Sequence, residues 1–192
     1  MTPARWLYCR NSFRASLLAP AVIICETARL RLRYLQADDD APFILGLLNE
    51  PSFICNIGDR GVRTLEDARR YVTNGPLASY AKFGFGLFKV ELKESGVPIG
   101  ICGLLKRDWL QDVDVGFAFL PQFWSKGYAI ESAAAVVGWG RDAHGVERVV
   151  AITAAHNEGS MRVLEKLGLR PAGTVYSPEG QESRFFTPDG TG

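Results

Sequence analysis

Ser125, Lys126 and Gly127 stand between an alternating strand and a helix start, a placement suited to holding an anion. The strand carries Val113, Val115, Phe117 and Phe119 at every second position, and Pro121 opens the turn. The helix beyond it spaces Ile130, Ala133, Ala134 and Val137 in a 3-4-3 rhythm. A small-residue turn that enters a helix leaves backbone N–H groups unpaired, and the helix dipole adds partial positive charge beside them. Phosphate is the ligand such a cradle favours. The turn contains neither GxGxxG nor a GxxxxGKS or GxxxxGKT pattern, so the dinucleotide-binding and P-loop readings fail. Metal chemistry lacks ligands. Cys9, Cys25, Cys55 and Cys102 are far apart with no CxxC, and His144 and His156 are the only histidines.

Other elements must position that turn. Thr27 to Leu35 alternates Leu30, Leu32 and Tyr34 against Arg29, Arg31 and Arg33, a half-exposed strand with a basic outer face. Asp38, Asp39 and Asp40 read as cap and first-turn acids of a helix carrying Phe43, Ile44, Leu47 and Leu48. Pro51 lies just past the end of that helix, and residues 52–62 read as a loop. Thr64 with Asp67 forms a near capping box for a second helix, which Asn74-Gly75-Pro76 should break before a short helical piece at 78–81. Three strands follow (85–93, 98–106 and 112–119), and short turns between them argue for an antiparallel meander. Gly100 and Gly103 inside the second imply close backbone approach or a bulge. After the central helix come a strand at 148–153 and a helix from about Glu158 to Leu167. Asn157 is the expected cap of that helix and Gly168 its stop, with Leu169 placed for a Schellman contact. Strands near 172–176 and 183–187 close the chain. The sum is one domain with a mixed sheet covered by helices.

The 192 residues carry a net charge of +1, which supplies no global field for nucleic acid. Separated cysteines fit buried thiols in a reducing, cytoplasmic setting. Residues 1–25 hold Arg5, Arg10 and Arg14 and no acid, so they read as an N-terminal extension, with a targeting peptide as the alternative. The apolar run at 15–25 is too short to span a membrane.

From about Glu26 to Pro188 the chain resembles the GNAT superfamily of N-acyltransferases, leaving residues 189–192 as a loose tail. Within it the resemblance is to the branch that includes the ribosomal-protein N-terminal acetyltransferases. Four segments carry it in order: TARLRLRYLQADD, GICGLL, VGFAFLPQFWSKGYAIESA and HNEGSMRVLEKLGLRPAGT. The resemblance implies an α/β (α+β) fold, with a mixed, mostly antiparallel twisted sheet flanked by helices. Two of its strands, here 112–119 and 148–153, splay apart to hold acetyl-CoA. The pantetheine arm would follow the backbone of Phe117, Ala118 and Phe119. The pyrophosphate would sit on Ser125, Lys126, Gly127, Tyr128, Ala129 and Ile130. Asn157 matches a CoA-contacting asparagine, a role compatible with a plain helix cap. Trp124 and Ser125 depart from the family's usual polar residue and glycine, and Trp124 is read as packing.

The implied reaction is attack of a primary amine on a thioester, which needs a proton acceptor, an oxyanion donor and help for the departing thiolate. Asp114 takes the base position, where many family members place a glutamate; the competing reading is a solvated strand-end carboxylate beside Asp112. Ser160 replaces a common tyrosine in assisting the thiolate, because Leu164 occupies the tyrosine position; the competing reading is a first-turn residue bonded to backbone. Tyr128 and Tyr176 are weaker acid candidates, His156 is structural, and Trp109 and Phe53 are candidate gates of the acceptor site. The acceptor is a protein N-terminus, a polyamine, an aminoglycoside-like antibiotic or a small metabolite, and monomer and homodimer both remain open. A different acyl group, or a CoA-binding sensor without chemistry, are the alternatives to acetyl transfer.

Overall fold

A computed structural model describes residues 22–191. Eight strands form one sheet in the order β1-β2-β3-β4-β5-β6-β8-β7. They are β1 (Ile23–Glu26), β2 (Leu30–Arg33), β3 (Leu87–Leu92), β4 (Pro98–Leu105), β5 (Val113–Phe119), β6 (Val149–Thr153), β7 (Arg170–Tyr176) and β8 (Glu182–Thr187). Every neighbouring pair is antiparallel except β5 with β6. The helices are α1 (Ala41–Leu48), α2 (Pro51–Asn56), α3 (Leu65–Val72), α4 (Ala78–Phe83), α5 (Tyr128–His144) and α6 (Glu158–Lys166). The expected mixed, mostly antiparallel sheet with flanking helices is the architecture found.

The strand alternation sorts side chains onto two cores. Leu30, Leu32, Phe88, Val90, Cys102, Val115 and Phe119 face Ala133, Val136 and Trp139 of α5 and Leu164 of α6. Ile101, Ala118 and Leu87 face the cluster built by α1, α2 and α3 around Ile44, Leu47, Phe53 and Val72. Close approach explains the glycines of β4. A Cβ on Gly103 would lie 1.9 Å from the Gly86 carbonyl oxygen, and the register slips between Val90 and Glu91 opposite Gly100.

Several local expectations hold in detail. Thr64 and Asp67 complete a capping box at α3. Asn157 caps α6, and its far end closes as a Schellman turn, with Leu169 N–H donating to the Leu164 carbonyl at 3.0 Å across Gly168.

Others are corrected. Ile23–Cys25, assigned to the extension, lie in β1 and pair with β2; the Arg-bearing leader before residue 22 falls outside the described residues. Residues 52–56 are helical, not loop: Pro51 at the first position of α2 starts a helix instead of ending one. Asn74-Gly75-Pro76 does not break the chain direction. A π-turn at Thr73–Leu77 carries it into α4, and its wider coil accommodates the missing N–H of Pro76.

Asp40 stands at the cap position of α1 but its side chain caps nothing. Instead it accepts from Arg33 (2.8 Å twice), Lys89 (2.7 Å) and the Gln36 N–H (2.8 Å), inside the protein. Glu91 completes the network through Arg33 (3.0 Å) and Lys89 (3.1 Å). All four side chains are buried, two of each sign. Burial alone would raise the Asp40 pKa, but the Arg33 and Lys89 hydrogen bonds hold it below the ordinary carboxylate value. The basic outer face expected of Arg33 is therefore an internal ion cluster that fixes β2, β3 and the start of α1.

Candidate active site

The site begins where β5 and β6 part. These parallel strands share only the register pairs Val113–Val149 and Asp114–Val150. From Ala151 onward β6 pairs with β8, so the β6-facing edge of β5 from Val115 to Phe119 has no strand beside it. A backbone edge without a ladder partner exposes N–H and C=O groups to whatever fills the gap. A cleft of about 580 Å³ opens there.

Its lining gathers most of the residues expected to hold the cosubstrate: Phe117, Ala118, Phe119, Ser125, Gly127, Tyr128, Ala129, Ile130 and Asn157. The turn has the geometry of an anion cradle. Ser125 (φ 59°) and Gly127 (φ 81°) are both left-handed, an arrangement that turns neighbouring N–H groups inward. No side chain caps α5, so its first N–H groups face the cleft beside the positive end of a 17-residue helix. Trp124 packs as expected and also ties the turn down: its indole N–H donates to the Phe119 carbonyl at 2.7 Å.

Lys126 is the exception, because it does not line the cleft. Its ammonium lies 5.5 Å from the centre of the Phe123 ring. Its carbonyl accepts from Arg29 Nη1 at 2.9 Å. Arg29 was legible only as one of three strand arginines, yet it organises this turn from the far end of the chain. Its Nε donates to Glu131 Oε2 at 2.7 Å, its guanidinium lies over the Tyr128 ring at 4.6 Å, and Thr27 Oγ1 donates to Glu131 Oε1 at 2.5 Å. Glu131 is thus neutralised in the first turn of α5.

At the apex of the V is Asp114, only 1% exposed. The solvated strand-end reading is excluded; Asp112 is elsewhere, bound to Arg148 at 2.9 Å. Burial pushes the Asp114 pKa from 3.8 to about 6. The opposing influence is Arg107, whose Nε donates to Asp114 Oδ1 at 3.0 Å but whose side chain is one-third exposed. Beyond Asp114 a second cavity of about 300 Å³ reaches the α2–α3 side, with Phe53 and Trp109 in its walls. Tyr71, Arg60 and Arg107 share it; sequence reasoning had no signal for them, because they meet Asp114 only through the packing of α3 and two loops.

Ser160 and Asn157 line both cavities. Ser160 donates its N–H to Asn157 Oδ1 at 3.0 Å, which leaves the Asn157 amide nitrogen and the Ser160 hydroxyl without a partner among the described residues. Leu164 is buried in the core and touches the second cavity, so no hydroxyl stands at the tyrosine position. Tyr128 lies on the cradle side and Tyr176, 63% exposed on β7, lines neither cavity. His156 is at the cleft mouth, where Nε2 meets the Cys55 carbonyl at 3.2 Å. Among the described residues no cluster of His, Cys, Asp or Glu could hold a metal ion, and no helix is long and apolar enough to cross a membrane.

A sheet ordered this way, parting after its central strand, is the scaffold of an acyltransferase. A crystal structure of an acetyltransferase from Agrobacterium tumefaciens str. C58 superposes with a TM-score of 0.72, covering 91% of this chain and 98% of the other at 22% identity. A second, described as the ribosomal L7/L12 alpha-N-protein acetyltransferase RimL in complex with coenzyme A, gives 0.73 over 86% and 97% at 14% identity. These likenesses are of fold. In sequence, YnaD of Bacillus subtilis (strain 168), described as an uncharacterized N-acetyltransferase, is 31% identical over 124 residues, 64% of this chain and 70% of that one. Residues 29–170 match the Acetyltransferase (GNAT) domain. The chain belongs to the GNAT acetyltransferase family.

Proposed function

We propose that the protein transfers an acetyl group from acetyl-CoA to a primary amine by direct attack through a tetrahedral intermediate. One observation carries this reading. The unpaired edge of β5 begins beside the buried carboxylate of Asp114, which lines the second cavity, and leads to an uncapped helix start at Tyr128 in the first cleft, with Phe117, Ala118, Asn157 and Ser160 lining both. A thioester-bearing arm with a diphosphate at its far end matches that spacing of groups: backbone hydrogen bonds along the arm and an anion cradle at the end. The RimL structure containing coenzyme A supports the choice of cosubstrate by analogy of fold.

In this reading the residues divide the work as follows. Phe117, Ala118 and Phe119 offer backbone to the pantetheine, Ser125 and Gly127 to Ile130 offer N–H groups to the pyrophosphate, and Asn157 adds its amide. Asp114 accepts a proton from the substrate ammonium through a bridging water, which the short side chain requires, and the neutral amine so formed attacks the thioester carbonyl. With a pKa near 6 it is ionised at neutral pH and still basic enough to take a proton. A β5 backbone N–H stabilises the oxyanion. As the tetrahedral intermediate collapses, the C–S bond breaks and the Ser160 hydroxyl donates a hydrogen bond to the departing thiolate. That assistance need only be modest, since a thiol with pKa near ~8.5 leaves readily.

The test is release of free thiol from acetyl-CoA with a panel of primary amines. Turnover supports the proposal. Tight acetyl-CoA binding without turnover on any class would favour a sensor, a reading that buried Leu164 at the tyrosine position keeps in play.

A further inference from the structure

We infer that the acceptor amine carries a carboxylate, which Arg60 binds at the outer end of the cavity beyond Asp114. This inference rests on the acetyl-transfer reading and names the substrate class for the same site.

Four charged side chains line the cavity: Arg60, Arg107, Asp114 and Glu179. Three of them are already engaged. Arg107 donates to Asp114 and lies over the Trp109 ring at 5.9 Å; Glu179 accepts from Ser177 Oγ at 2.7 Å. Arg60 makes no hydrogen bond or ion pair with any described residue. Its place is nevertheless fixed. Asp59 Oδ1 accepts from the Gly61 N–H at 2.8 Å across Arg60, Arg63 pairs with Asp59, and Arg63 Nη1 donates to Asn49 Oδ1 at 3.2 Å. The Val62 carbonyl accepts from Asn49 Nδ2 at 2.9 Å. Loop residues on both sides of Arg60 are braced while its guanidinium is left open to the cavity. It also lies near enough to the Tyr71 hydroxyl to influence it, as Arg107 does.

The Arg60 guanidinium is exposed and unpaired, so a carboxylate entering the cavity would meet its full fork of N–H donors. Asp114 at the inner end takes the reacting ammonium. The cavity thus has an anion that accepts the amine at one end and a cation without a partner at the other. At about 300 Å³ it is small, sized for an amino acid or for the first residue or two of a chain. A free amino acid and a peptide whose N-terminal residues are acidic present the same pair of groups. Polyamines and aminoglycosides would bring cations against Arg60 and Arg107.

The experiment compares matched acceptors: alanine with alaninamide, a C-terminally amidated tripeptide beginning Ser-Glu with the amidated one beginning Ser-Gln, and spermidine. Binding is measured by calorimetry on the protein saturated with CoA, and turnover by thiol release, for the wild type, Arg60→Ala and Arg60→Lys. The carboxylate-bearing member of at least one pair should bind about tenfold more tightly, as one charge-assisted pair allows. Arg60→Ala should abolish that preference through KM with kcat little changed, and Arg60→Lys should restore part of it. Preference in the first pair identifies a free amino acid, and in the second a chain terminus. Equal binding within both pairs, a preference that survives Arg60→Ala, or tightest binding of spermidine would each overturn the inference. Absence of thiol release with carboxylate preference intact would instead count against acetyl transfer alone.

Discussion

Asp114→Asn tests the centre of the proposed mechanism, because it preserves shape and removes the proton that titrates. With a pKa of about 6, Asp114 is half ionised near pH 6 and about one-tenth ionised at pH 5. Wild-type kcat/KM should therefore fall about tenfold per pH unit below 6, beyond any fall from protonation of the amine. The amine titrates identically for both proteins, so the ratio of their profiles isolates the enzyme group. At pH 8 the variant should be slower by roughly 100- to 10,000-fold, the range for loss of a general base. The ratio should shrink as pH drops below 6. Stability provides a second reading. A folded pKa above the unfolded one makes Asp114 favour folding below about pH 4, and that contribution is lost as pH rises through 6. The gap between 3.8 and about 6 corresponds to roughly 3 kcal/mol against folding at pH 8. Urea melts should show Asp114→Asn gaining part of that at pH 8, less what the lost Arg107 bond contributed, and gaining nothing at pH 4. A wild-type profile flat across pH 6, or a variant that keeps the limb, would remove Asp114 as the base.

Other outcomes follow from the same geometry. Asp40→Ala leaves the buried Arg33 and Lys89 with Glu91 as their one remaining carboxylate partner and should cost about 3–5 kcal/mol in urea unfolding. The wild-type contribution of Asp40, with its lowered pKa, should be present above about pH 4 and fade as pH falls further. Arg29→Ala removes the donors to the Lys126 carbonyl and to Glu131 Oε2, so the KM for acetyl-CoA should rise about tenfold with kcat nearly unchanged; a fall in kcat alone would place Arg29 in another role. Gly127→Ala forces a side chain into a left-handed residue with its Cβ 3.2 Å from Arg29, and should weaken acetyl-CoA binding with a stability loss of about 1–2 kcal/mol.

The sequence made the periodic parts of this protein readable. Alternation placed β5 and its two faces, and the spacing of Ile130, Ala133, Ala134 and Val137 signalled α5, although its buried stripe is Ser132, Ala133, Val136, Trp139 and Gly140 and Ala134 is exposed. Cap chemistry located both ends of α6 and the start of α3. What it left hidden depended on contacts between distant segments. Arg29 and Glu131 are 102 residues apart, and nothing local distinguishes Arg29 from Arg31, which binds Glu26 at the surface. Asp40 carried the signature of a helix cap and became the hub of a buried ion cluster, because Lys89 and Arg33 arrive from two strands. The burial of Asp114, and with it the raised pKa, comes from segments that meet only in the fold, while Arg107 pulls the pKa the other way. The helical start at Pro51 was misread because a proline marks the first turn of a helix as readily as it marks an ending.

The parting of β5 and β6 also divides the chain by order of synthesis. Strands β1 to β5 follow one another across the sheet as they leave the ribosome, with α1 to α4 inserted after β2. Strands β6, β8 and β7 form a second block, and backbone pairing between the blocks consists of two register pairs. Such local pairing lets each block form largely from its own contacts before the two dock. The proposed cosubstrate would occupy the seam between them, lending β5 the backbone partner that β6 withholds. A ligand placed there should act as an inter-block strut. At about one hundred times its Kd it would add about 2.7 kcal/mol to unfolding, and amide exchange should slow along Val115–Phe119 and at Ala151–Thr153 together.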